Sequence, residues 1–211
     1  MVYPAGKVRS AGADLREGAV KMDVFDAMKA RRSCRSFRPD PVDEAVLDRI
    51  LEAATWAPSP MNAQPWEFVV VTDADLKEKI RREADRCRAW AREVSGWEWL
   101  DTYGVDFLCS APALVAVVGN PRKTGMDQFQ EDGRVAYQHA CAAAIQNMLL
   151  AAHALGLGSL WFTLFDRANL CDILGIGPDR TLVGLVCLGT PEKAPREVPR
   201  KSAGDKTRTL G

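Results

Sequence analysis

Arg31-Arg-Ser-Cys-Arg-Ser-Phe37, followed one helix later by Ala57-Pro-Ser-Pro-Met-Asn-Ala-Gln-Pro-Trp66, is the pair of segments that organises this chain. The first gathers the guanidiniums of Arg31, Arg32 and Arg35 around the hydroxyl of Ser33. A phosphate monoester carries close to two negative charges, and guanidinium forks are the donors best able to hold it once water is removed. Taken alone, the cluster reads equally well as a solvated basic helix end. In the second segment Pro58 and Pro60 restrict φ, so Ser59 and Asn62 are presented at little entropic cost. With Gln64 they are short polar groups suited to the edge of a heterocycle, although a helix-to-strand turn could carry the same residues. Found together and in this order, the two segments point to a phosphorylated cofactor with an aromatic head.

Outward from these segments the chain alternates helices with strands. Val24 to Ala30 predicts a short amphipathic helix leading into the arginines. Asp43 is a good N-cap for a helix whose apolar residues Val46, Leu47, Ile50, Leu51 and Ala54 follow helical spacing and which ends before Pro58. Trp66 to Thr72 reads as a strand buried on both faces, because its β-branched run is continuous. Asp73 or Asp75 caps a long helix through Val94. The aromatic-rich stretch 95–107, with Trp97, Trp99 and Tyr103, has no clear period and predicts a lid or an interface. Strands follow at 113–118, 159–163 and 181–188, and Asp166 starts a helix ending near Gly175. The helix 134–155 is nearly apolar around its middle and is expected to be buried on all sides. The architecture is therefore one α/β or α+β domain. Residues 1–21 read as a flexible N-terminal arm, 22–190 as the folded domain, and 191–211 as a polar, proline-rich tail with no core of its own.

At 211 residues the chain is long enough to bury a real core, and Lys plus Arg (28) balance Asp plus Glu (28). No global field draws it to nucleic acid or anionic lipid, so the cluster near position 32 needs a local explanation. Gln146 and Asn147 interrupt the apolar helix, leaving runs short of the roughly 18 residues a membrane span needs. The six cysteines form no C-x-x-C pair and the histidines number two, so no metal site is expected. Reduced thiols and the lack of a secretory pattern suggest a cytoplasmic protein. His139 and His153 sit on the apolar helix and read as structural, and no nucleophile–base pair stands out. The G-L-G-S at 156–159 is no dinucleotide fingerprint, because it leaves a helix and enters a strand, the reverse of the required order.

The pair of segments resembles the nitroreductase-like family of FMN-dependent oxidoreductases. So do the A-P-A-L-V-A-V strand and the Q-N-M-L-L-A-A-H-A-L-G-L-G-S helix exit, and the likeness runs from about Val24 to Lys201. Layout is closest to the iodotyrosine deiodinase-like branch. The resemblance implies an α+β sandwich with a central mixed sheet flanked by helices, in an intertwined homodimer whose tail packs on the partner subunit. It implies FMN as cofactor, with Arg31, Arg32, Ser33 and Arg35 on its phosphate and ribityl chain. Pro58, Ser59, Pro60 and Asn62 would reach it across the dimer interface. Trp161, Phe162 and Thr163 would pass close to the flavin ring, with Thr163 near its N5. Arg200, with Lys201 beside it, would return to the phosphate. The implied activity is ping-pong reduction of a planar acceptor such as a nitroaromatic or quinone by NAD(P)H. Reductive dehalogenation, flavin fragmentation and non-catalytic flavin binding are the alternatives.

Overall fold

The computed structural model describes residues 22–130, 133–194 and 197–211, so the expectation for the N-terminal arm lies outside the described residues. Among the described residues, α-helices and strands follow one another as α1 (Val24–Ala30), α2 (Glu44–Thr55), β1 (Trp66–Val71), α3 (Ala74–Ser95), α4 (Phe107–Ser110), β2 (Ala113–Gly119), α5 (Ala136–Ala154), β3 (Gly158–Phe162), α6 (Arg167–Leu174) and β4 (Thr181–Gly189). Aspartates start four of the helices, because a side-chain oxygen satisfies an N–H that the first turn leaves free. Asp43 accepts from Val46 N at 3.2 Å, Asp73 from Leu76 N at 2.7 Å and Asp166 from Asn169 N at 3.0 Å, while Asp23 serves α1.

The strands form one sheet in the order β1-β2-β4-β3, and every strand pair is antiparallel. The reason is visible in α3. Its 22 residues carry the chain away by about 33 Å, and residues 96–112 bring it back. β2 therefore starts beside the end of β1, pairing Leu114 with Val71. The expectation of a mixed sheet is thereby corrected: the four strands form an antiparallel sheet, and the parallel pairing of Ser33 with Ser159 is an isolated bridge outside the strands.

Helices cover both faces. On one, α2 and α5 pack Ile50, Ala144, Ile145 and Met148 against Val115, Val117, Val186 and Leu188. On the other, α3, α4 and α6 bring Ile80, Leu108 and Leu170 onto Leu114, Ala116, Leu182 and Leu185. In β4, Leu182 and Leu185 face the same side although three residues apart. The register shift at Val117/Val118 supplies the extra residue, a bulge that lets both faces stay apolar.

Burial of β1 on both faces is corrected. Glu67 and Val70 are exposed, because β1 is an edge strand paired to β2 alone, and its β-branched run reflects strand propensity rather than double cover. The strands covered on both sides are β2 and β4. α5 also departs from its expectation, since Gln146 and His139 are exposed and only the face toward the sheet is sealed. Of the six cysteines, all free thiols, Cys34, Cys87, Cys141 and Cys187 are buried as small core residues. Among the described residues no helix is long and apolar enough to cross a membrane.

Candidate functional site

The arginine segment is an extended ribbon laid between the start of β3 and the chain leaving β4. Arg31 N closes α1 by donating to Ala27 O at 3.0 Å. Cys34 N then donates to Ser159 O at 2.9 Å, Arg38 N to Thr190 O at 2.9 Å and Glu192 N to Ser36 O at 3.0 Å. Cys34 and Phe37 turn inward and anchor the ribbon, leaving Ser33 and Arg35 outside. Gly158 makes the seating possible: a Cβ there would stand 2.9 Å from both Cβ and Sγ of Cys34.

Above this ribbon lies a cleft of about 670 Å³. Residues 31–36 form one wall, and Lys193, Ala194, Val198 and Arg200 form the other. Among the described residues, five cationic side chains line it (Arg31, Arg32, Arg35, Lys193, Arg200) and no carboxylate does. Burial, then the like charges of Arg200 and Arg32, push the Arg31 guanidinium below its ordinary pKa. Arg200, 169 positions away in sequence, therefore acts directly on Arg31. Arg32 donates through Nη1 to the carbonyls of Lys29 and Arg31, the latter at 2.8 Å, while its buried Nε has no partner. So much unpaired positive charge around one concavity is what a phosphate group would satisfy. Lys201 is exposed and does not line the cleft.

The proline loop is placed elsewhere. Pro58, Ser59, Pro60 and Asn62 are absent from the cleft walls, and Pro60 instead packs on Gly125, where a Cβ would come within 2.6 Å of its ring. Ser59 Oγ accepts from Gln64 N at 3.0 Å, and Gln64 Nε2 donates to Asn62 Oδ1 at 3.2 Å. Among the described residues, the Asn62 side-chain amide N–H groups have no partner. Met61, Asn62 and Gln64 have φ of 53°, 53° and 44°, a left-handed conformation that costs non-glycine residues of order 1–3 kcal/mol each. Asparagine adopts it more readily than methionine or glutamine.

At the end of β3, Trp161 lies over Gly184, whose missing Cβ leaves room for the indole. Phe162 is buried, edge-on to Phe107 at 5.5 Å and tilted against Phe165 at 6.1 Å. Thr163 is exposed one residue past the strand and lines a separate cleft of about 310 Å³ with Cys87, Trp90 and Phe165. The structure thus brings Arg31, Arg32, Ser33, Arg35 and Arg200 together, and does not bring the proline loop or Thr163 to them within one chain. Sequence reading missed Lys193 and Tyr103. Lys193 sits in a polar tail with no signal of its own, whereas Tyr103, under Arg35, belonged to a stretch already marked by its aromatics.

The fold is an α+β sandwich, helices on both faces of one sheet, with a polycationic cleft beside the α5–β3 turn. The chain belongs to the Nitroreductase family, whose sequence pattern matches residues 28–190, and the cofactor of that family is FMN. It is 33% identical over 179 residues to the 5,6-dimethylbenzimidazole synthase of Rhodospirillum rubrum, covering 81% of this chain and 83% of that one. It is 34% identical over 180 residues to the NADH dehydrogenase of Thermus thermophilus, covering 81% and 87%. Among solved structures, oxidized iodotyrosine deiodinase bound to FMN and 3-iodo-L-tyrosine matches with a TM-score of 0.74 at 26% identity, covering 85% of this chain and 96% of that one.

Proposed function

We propose that the chain is an FMN-dependent oxidoreductase that draws electrons from NAD(P)H and passes them to a planar acceptor such as a nitroaromatic or quinone. Reductant and acceptor would use the same site in turn, giving ping-pong kinetics. The observation that carries this reading is the cleft itself. Arg31, Arg32 and Arg35 from one end of the chain meet Lys193 and Arg200 from the other, with no carboxylate among the lining residues. A phosphate monoester supplies the two negative charges such a site lacks.

When bound, FMN supplies the two-electron redox chemistry, and the protein supplies binding, orientation and electrostatics. Arg31, Arg35 and Arg200 hold the phosphate, with Ser33 donating its hydroxyl. Exposed Trp161 would flank the ring, with Phe162 buried in the core behind it, and Thr163 would offer the ring a hydroxyl from its neighbouring cleft. Asn62, its backbone already fixed, directs its amide N–H groups to the carbonyl edge of the ring. Because the loop of Asn62 does not reach its own cleft, this role calls for the loop of a second protomer. Exposed Phe25, Trp56, Met61, Met126 and Phe129 support a homodimer with the tail packed on the partner, since apolar side chains in such number are unusual on a monomer. A cytoplasmic location accords with the free thiols.

A second reading, reductive dehalogenation or flavin fragmentation, is favoured by the likeness to the iodotyrosine deiodinase and to the 5,6-dimethylbenzimidazole synthase. The visible spectrum of the purified protein is the first test. A colourless protein that fails to take up added FMN contradicts every flavin reading. Bleaching by NAD(P)H without oxygen supports the oxidoreductase, its absence points to a non-catalytic flavin-binding protein, and product analysis separates the two chemistries.

A further inference from the structure

Behind the arginine wall, three buried side-chain atoms have no hydrogen-bond partner among the described residues: Nε of Arg32, Nε2 of His153 and Oγ of Ser159. His153 occupies the last turn of α5, against which α1 packs just before it delivers Arg31 and Arg32. The same neighbourhood is closed by two backbone links. Gly156 N donates to His153 O at 3.0 Å as the chain turns, and Cys34 N donates to Ser159 O at 2.9 Å as β3 begins. His153 is not among the residues that line the cleft.

Buried polar atoms left without partners need completing, by a water or by a change of protonation. The charged groups acting on His153 are Arg31 and Arg32, and Arg200 from the tail acts in turn on Arg31. On the far side of Arg32, Lys29 and the carboxylates of Asp26 and Glu197 line a neighbouring cleft with it. Burial and those two guanidiniums hold the imidazole below its ordinary pKa, which keeps it neutral at neutral pH. A phosphate dianion seated on Arg31 and Arg32 would cancel the repulsion that keeps the proton off.

We propose that His153 is a proton-linked positioning residue of the arginine cleft, taking up a proton when an anion seats on Arg31 and Arg32. This rests on the reading of the cleft as a phosphate site. Linkage makes the coupling reciprocal, so protonation of His153 tightens phosphate binding by the factor with which phosphate tightens the proton. The neutral imidazole leaves Arg32 Nε free to bond a water. The imidazolium instead adds its charge behind the arginine pair and favours their guanidiniums turned outward to the anion.

The chain has two histidines, which makes the test direct. The imidazole resonances of the isotopically labelled full chain are followed from pH 5 to 8.5, alone, with FMN and with riboflavin, and assigned with a His139→Gln variant. Flavin fluorescence in the same samples reports binding. With FMN bound, the His153 midpoint is expected to rise by about 1, equivalent to a tenfold coupling, while riboflavin leaves it in place. FMN that binds without moving the midpoint, or riboflavin that moves it equally, overturns the proposal and leaves the cofactor reading standing. FMN that does not bind at all overturns the cofactor reading, and the proposal with it.

Discussion

The guanidinium of Arg35 lies over the ring of Tyr103, 5.7 Å from its centroid, and so joins the arginine cleft to the aromatic stretch that follows α3. Tyr103 is in turn edge-on to Trp99 at 5.4 Å and to Phe107 at 6.3 Å. Phe107 continues to Phe162 on β3. The stretch is thus a column of rings between the surface and the core, with Arg35 resting on its side.

That column gives the first prediction. Tyr103→Leu keeps apolar bulk but removes two edge-to-face contacts, and should lower stability to urea by about 1–2 kcal/mol. Arg35 would lose a platform worth under about 1 kcal/mol and would still reach the cleft, so FMN affinity should change by less than about fivefold. Loss of FMN binding in a folded Tyr103→Leu protein would show that the ring positions Arg35.

Thr163 carries a riskier expectation. In Thr163→Val the shape is kept and the hydroxyl removed, so FMN affinity should hold while the reduction potential of the bound flavin moves, because a donor near the ring stabilises charge that develops on reduction. A potential equal to wild type would make the hydroxyl structural, and its place in a cleft apart from the arginines would then be the simpler account.

An acid-stability prediction follows from Glu83. Its side chain is 8% exposed and accepts from Arg86 at 2.7 Å. That hydrogen bond, against an opposing cost of burial, draws its pKa from 4.5 to about 2, with the Cys87 thiol helping. A carboxyl whose folded pKa lies below its unfolded value stabilises the fold above the unfolded pKa and loses that contribution as pH falls through the folded one. Stability should therefore decline between about pH 4.5 and 2, and Glu83→Gln, measured by urea unfolding across that range, should flatten the decline. An unchanged slope would assign acid lability to other carboxylates.

How much of this was legible beforehand follows the range of each signal. The caps at Asp43 and Asp166 and the extent of α1 were readable because capping and helical spacing are local. The short helix α4 was not, since four residues show no period. Nor was the edge position of β1, because valines serve edge and centre alike and only the sheet order separates them. At the site, Arg31 and Arg35 announced themselves by clustering. The return of Lys193 beside them depends on Glu192 N pairing with Ser36 O, a contact between segments 156 positions apart that no local pattern encodes. The left-handed run at Met61 and Asn62 was equally silent, for the prolines beside it suggested rigidity without its sign.

The central claim is that residues from both ends of the chain converge on one phosphate, and the most direct measurement compares FMN with riboflavin. Both are titrated by fluorescence into wild type and Arg200→Ala. Removing one charge-assisted contact should weaken FMN by about 1.5–3 kcal/mol, roughly 10- to 150-fold, and leave riboflavin, which lacks the phosphate, nearly unchanged. Equal losses for the two flavins, or none for FMN, would contradict the account.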